Sequence, residues 1–142
     1  MVLLQQIPIG ERLTLALDDT PTKRHGPKIE ATGRHHNPTP GSSKSQTFYG
    51  HKWVVLVHLV KHVQSHIIGL PLWATLYVRR CDVAWLPRGV TPWKLQTKLD
   101  LAATIIQATA NSLNRRWNGP VWLLTDTGYA KRPAYEALQQ AP

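Results

Sequence analysis

The sequence predicts one α/β domain, a mixed sheet with flanking helices, and three observations carry that prediction. Leu13, Leu15 and Leu17 alternate with Thr14 and Ala16, the period of two that marks a half-buried strand. Residues 48–62 and 67–78 are rich in Val, Leu, Ile and aromatics, the composition of paired strands. A helically spaced apolar stretch across residues 97–113 then leads into a second short apolar run at 121–125.

The elements follow in order. The first strand stops at Asp18-Asp19-Thr20-Pro21, residue types that favour turns. Residues 20–45 change to Pro, Gly, Ser, Thr, Asn and His with many bases and keep no apolar period, so they read as one long basic loop. Loops of that length inside compact domains are usually functional or disordered, and a position directly after the acidic pair favours function. Residues 48–62 and 67–78 form a hairpin about the polar break at Gln64-Ser65, and a loop with Pro87, Gly89 and Pro92 follows. Thr97-Lys-Leu-Asp100 offers a capping-box start to a helix whose apolar positions are Leu99, Ala102, Ala103, Ile106, Ala110 and Leu113. After Asn118-Gly119-Pro120 the fourth strand spans 121–125, and Pro133 opens a second helix.

Composition narrows the function. The 142 residues suit a single domain, and seventeen Lys and Arg against eight Asp and Glu give a formal charge of +9. Such a surface favours a polyanionic partner through counterion release. The single Cys81 excludes an internal disulfide framework and a cysteine zinc site and reads as an ordinary core or edge residue. The N-terminus lacks the basic and apolar regions of a signal peptide, and no apolar run is long enough for a bilayer. The expectation is a cytoplasmic, nucleoid-associated protein that does not enter a membrane. No Ser-His-Asp order, phosphate-cradling Gly loop or nucleotide fingerprint occurs.

With so few acids, Asp18 and Asp19 after one apolar run and Asp126 after another stand out. Ligands in α/β sheets sit beyond the carboxyl ends of strands, and hard divalent cations take oxygen donors, so these carboxylates suit Mg²⁺ or Mn²⁺ and phosphodiester chemistry. Three segments extend the pattern: Leu15-Ala-Leu-Asp-Asp-Thr-Pro-Thr-Lys-Arg-His-Gly-Pro-Lys28, Gly33-Arg-His-His-Asn-Pro-Thr-Pro-Gly41, and Asp126-Thr-Gly-Tyr-Ala-Lys-Arg-Pro133. Together they resemble the catalytic core of bacterial insertion-sequence transposases of the DDE type, over most of the chain.

That resemblance implies an RNase H-like fold, incomplete at its C-terminus, in which the first and fourth strands are parallel neighbours. It implies metal-dependent DNA cleavage at element ends and joining of the 3′-OH to target DNA. Asp19, immediately before Thr20, takes the place of the first metal ligand, Asp126 that of the second, and Asp18 supports Asp19. Two metal ions would align attacking and leaving oxygens on one phosphate. The family's glutamate lies on a later helix, so Glu136 is set aside as an exposed helix acid. DNA is the implied partner, and a homo-oligomer in a transposition complex is compatible with it. Two other classes stay open: a noncatalytic DNA-binding remnant, and a small RNase H-like nuclease.

The bases expected to meet DNA are Lys23, Arg24, Lys28, Arg34, His35, His36 and Lys44 in the long loop, with Lys131 and Arg132 just after Asp126. His58, His62 and His66 recur at a helical interval, but the strand character of that segment would break their alignment. Trp53, Trp73 and Trp122 lie in strands and are expected in the core, whereas Trp85, Trp93 and Trp117 are freer to stack.

Overall fold

A computed structural model describes residues 12–26, 28–36, 46–61, 66–83, 86, 94–114 and 116–141. The alternating leucines form β1 (Leu13–Lys23), and the chain returns through β2 (Gly33–His36), β3 (Thr47–Lys61) and β4 (Ile67–Tyr77). A single helical turn, α1 (Arg80–Val83), precedes the long helix α2 (Lys98–Asn114), then β5 (Val121–Thr125) and α3 (Arg132–Gln139).

All five strands share one mixed sheet. β1 lies between β3, antiparallel, and β5, parallel. β2 and β4 both pair antiparallel with β3 along its other edge, opposite residues 47–50 and 52–61 respectively. A parallel neighbour requires a crossover connection, usually helical, and α2 supplies it between β4 and β5. Gly50 marks a close approach: it pairs with Lys23, and a Cβ there would run into the Thr22 carbonyl.

Alternation decides which residues the helices cover. Leu13, Leu15 and Leu17 of β1 pack with Val54 and Leu56 of β3 beneath Leu101, Ala102, Ile105, Ile106 and Leu113 of α2, with Ala134 and Ala137 of α3 alongside. Each fully buried leucine or isoleucine contributes about 1.5–3 kcal/mol. Thr97 caps α2 reciprocally with Asp100: the Thr97 backbone N–H and hydroxyl donate to Asp100 Oδ2, both at 2.8 Å, and the Asp100 N–H donates to Thr97 Oγ1 at 3.2 Å.

The hairpin, the fourth strand and both helices lie where the sequence places them, and several details differ. β1 does not stop at the acids but runs on to Lys23, because β3 continues to pair with it as far as Gly50. The 20–45 segment is therefore not one loop, since Thr20–Lys23 and β2 take part in the sheet. Within α2 the buried stripe includes Leu101, Ile105 and Thr109, a rotation of the expected stripe toward its bulkier side. Trp122 is exposed, because Leu123 rather than Trp122 shares the helix-covered face with Leu15; the Arg12 guanidinium stands 4.4 Å above its ring. Trp73 is exposed too, donating to Thr75 Oγ1, while Trp117 packs against the core and Cys81 lies exposed on α1. Among the described residues no helix is long and apolar enough to cross a membrane. Lys44, His62, Trp85 and Trp93 lie outside the described residues.

Candidate functional site

The same alternation that buries Leu17 sends Asp19 to the helix-covered face and Asp18 to the opposite, exposed one. Asp19 retains only 12% of its side-chain exposure, so its charge needs partners, and two ammonium groups supply them. Lys52 Nζ lies 3.2 Å from Oδ1, and Lys98 Nζ bonds Oδ2. Lys52 reaches Asp19 because β3 places it opposite Pro21, one step along the same face from the Asp19–Val54 pair. Lys98 comes down from the first residue of α2. Burial by itself would raise the Asp19 carboxyl, but the Lys98 hydrogen bond and charge, reinforced by Lys52, hold it below the usual value of 3.8. Asp19 is therefore ionised at neutral pH. Asp18 Oδ1 accepts the Asp19 backbone N–H at 2.6 Å.

The second half of the site comes from β5. Its ladder with β1 ends at Leu17–Thr125, so Asp18 and Asp126 are the next residues of two parallel neighbours and leave the ladder at one end of the sheet. Asp126 then turns the chain. Its Oδ1 accepts the Tyr129 N–H at 3.1 Å, and its carbonyl accepts from Tyr129 and Ala130 at 3.2 and 3.1 Å, the side-chain-to-backbone closure typical of Asp in turns. A Cβ on Gly128 would sit 3.1 Å from Asp126 Oδ1, so the turn takes its small residue there.

The turn drives Tyr129 into the core with its hydroxyl 3.5 Å from Asp19 Oδ2. Burial pushes the phenol pKa well above its ordinary value, and the negative charges of Asp19, Asp18 and Asp126 push it further in the same direction. The hydroxyl therefore stays protonated beside Asp19, and the Asp126 turn that positions it starts at the same sheet end.

Their carboxylate oxygens are the hard donors that Mg²⁺ or Mn²⁺ takes, and an octahedral shell normally keeps several waters. Among the described residues no three His, Cys, Asp or Glu are gathered closely enough to hold one ion by themselves. Carboxylates have the donor chemistry for such a cation, which Asp19 and Asp126 would hold with water or substrate oxygens completing the shell. For Asp19 to ligate, one of its two ammonium partners must yield.

The expected DNA contacts divide. Lys23, Arg24, Lys28, Arg34 and His36 are exposed. Lys23 and Arg24 continue β1 beyond Asp19, and at about 3.3 Å per residue Lys23 stands about 13 Å along the strand. Lys131 and Arg132 are exposed just past the Tyr129 turn, although Arg132 spends part of its charge on Glu136 at 2.7 Å. His35 departs from expectation. It is buried, stacked on Phe48 with ring centroids 5.3 Å apart and 6.2 Å from Tyr77, because alternation in β2 turns it inward between exposed Arg34 and His36. Its ring packs against the sheet's aromatic side chains. His58 is likewise buried in β3.

Three members of the site, Lys52, Lys98 and Tyr129, are absent from the sequence-based set. Two carried a readable signal. Lys52 shares the period-two face of Phe48, Val54 and Leu56, where an unpaired ammonium would be costly. Lys98 opens a helix, where the macrodipole disfavours a cation. Lys52 therefore called for a buried carboxylate, and Asp19, which also bonds Lys98, is that group. The chain matches no protein-family model and has no significant similarity to a curated protein or to a solved structure.

Proposed function

We propose that the chain is a DDE-type transposase catalytic core with an RNase H-like fold, acting on DNA by metal-dependent strand cleavage and strand transfer. The observation that carries this reading is the parallel pairing of β1 with β5, whose ladder ends at Leu17–Thr125, so that Asp18-Asp19 and Asp126 follow at the same end of two neighbouring strands, with the Tyr129 hydroxyl beside Asp19. Two of the three motifs that suggested the family run on from those strand ends; of the third, Gly33–His36 form β2 and residues 37–41 lie outside the described residues.

In this reading Asp19 and Asp126 hold the cation, which when bound neutralises charge on the reacting phosphate and lowers the pKa of the attacking oxygen's proton. Lys52 fixes the Asp19 carboxylate from below, and the Tyr129 hydroxyl, kept protonated, donates toward it. Lys23, Arg24, Lys28 and Arg34 beyond one strand, with Lys131 beyond the other, bind the DNA backbone and set the register of the phosphate over the acids. Asp126 also orders its own turn, so the ligand and the support of Tyr129 are one structural unit.

The pairing of Asp19 with two lysines favours a second reading, DNA binding without turnover. Calorimetric titration with Mn²⁺ separates the two. The catalytic-core reading expects weak binding by the wild type that is lost in Asp19→Ala and in Asp126→Ala; equal binding by all three proteins refutes it, and salt-sensitive DNA binding with no metal uptake establishes the second.

A further inference from the structure

Lys98 stands where a helix offers no welcome to a cation. It is the first residue of α2, at the positive end of the aligned peptide dipoles. What holds it is Asp19 Oδ2, with the Tyr129 ring 5.8 Å from its ammonium. Lys52 on the other oxygen differs in kind. Its side chain is 8% exposed and set in a strand inside the sheet, whereas Lys98 is 37% exposed on a stem with four rotatable bonds. The carboxylate is shared between a fixed partner and one that has a path to water.

We infer that Lys98 is a displaceable counter-ion: it occupies Asp19 Oδ2 in the absence of a divalent cation and moves its ammonium to a DNA phosphate when a cation takes that oxygen. This rests on the catalytic-core reading above. Oδ2 is the oxygen turned toward Tyr129, on the side from which the Asp126 turn approaches. A cation at a coordination distance of about 2.1 Å from Oδ2 cannot share that space with an ammonium of like charge. The exchange leaves no buried charge unpaired. The carboxylate keeps Lys52 and gains the cation, and the freed ammonium meets the phosphate that the cation also faces. Lys98 is then a positioning residue that makes metal and DNA binding mutually reinforcing, since each removes the competitor of the other.

Two titrations test this. In Mn²⁺ calorimetry, Lys98→Met and Lys98→Gln should each bind Mn²⁺ about fivefold more tightly than the wild type, equivalent to the loss of a competing pair worth about 1 kcal/mol. In duplex-binding titrations against salt, Mn²⁺ should steepen the wild-type log-log slope by about 0.9, one more phosphate neutralised, and leave the slope of Lys98→Met unchanged. Wild-type or weaker Mn²⁺ affinity in both Lys98 variants overturns the inference, as does a slope that Mn²⁺ shifts equally in wild type and variant. Asp19→Ala and Asp126→Ala separate the two levels. If they bind Mn²⁺ like the wild type, the catalytic-core reading itself falls; if they lose it while both Lys98 variants match the wild type, that reading stands and the displaceable counter-ion does not.

Discussion

Asp19→Asn removes one charge from a group that two lysines converge on, and its cost can be worked from the geometry. Asp19 and Lys52 are 12% and 8% exposed, so the substitution leaves the Lys52 ammonium in the sheet interior facing a neutral amide. Breaking a buried ion pair by removing one partner costs about 3–5 kcal/mol. Lys98 is exposed enough to turn to water, so its share falls in the surface range of about 0–1 kcal/mol. The amide keeps one oxygen as an acceptor, which places the total near the lower bound, about 3 kcal/mol. For a chain of 142 residues this lowers Tm by about 10 °C. Asp18→Asn, on the exposed face, should cost less than about 0.5 kcal/mol. The double variant Asp19→Asn with Lys52→Met should recover most of the loss, because both charges are gone. The assay is urea unfolding of the four proteins at neutral pH. Because the folded Asp19 carboxyl lies below 3.8, its contribution is complete above that value and is lost as pH falls through the folded pKa, so the gap between wild type and Asp19→Asn should close in acid. An Asp19→Asn protein as stable as the wild type, or equal losses from Asp18→Asn and Asp19→Asn, refutes the argument.

The exposed bases give a second expectation: in Arg24→Glu/Lys28→Glu/Arg34→Glu, duplex affinity falls and the salt slope loses about 0.9 per phosphate contact removed, read by fluorescence anisotropy at several salt concentrations. An unchanged slope removes this segment from the interface. The buried histidines give a third. Burial holds His35 and His58 below the ordinary 6.5, with the charges of Arg79 and Lys52 adding to the effect on His35. Between the folded and unfolded values only the unfolded chain takes up the proton, so stability is full above pH 6.5 and falls below it, by up to about 1.4 kcal/mol per pH unit for each histidine. Denaturant midpoints measured from pH 8 to pH 5 check it, and His58→Leu should flatten the curve.

The elements were legible wherever one periodicity held. Leu13, Leu15 and Leu17, the 121–125 run and the Thr97–Asp100 cap each depend on neighbours in sequence, and each lies where it was read. The end of β1 was not legible. Asp18, Thr20 and Pro21 carry turn propensity, and what extends the strand to Lys23 is pairing with β3, a tertiary effect that local propensity does not contain. Trp122 shows the same limit: aromatic content marks a strand but not which of its faces the helices cover. At the site, the acids were visible because acids are scarce in this chain, and Asp19 was distinguished from Asp18 by its place before Thr20, a choice that alternation from Leu17 also makes. Lys52 and Lys98 were hidden among many bases, since seventeen Lys and Arg make any one of them look like part of a general field. Their period-two and helix-opening positions could be read from the sequence, but that both meet Asp19 needs the fold to be seen.

The most direct test of the central claim, that Asp19 and Asp126 share one divalent-cation site, is iron-directed backbone cleavage. Fe²⁺ with ascorbate and peroxide cuts protein backbone near the bound ion, and the products can be mapped by mass spectrometry. Paired cuts are expected in β1 around residues 18–20 and in the turn at 126–129, both suppressed by excess Mg²⁺ and both lost in Asp126→Ala. Cuts confined to the histidine-bearing segment at 25–36, or cuts at one strand end that persist in Asp126→Ala, would contradict the shared site.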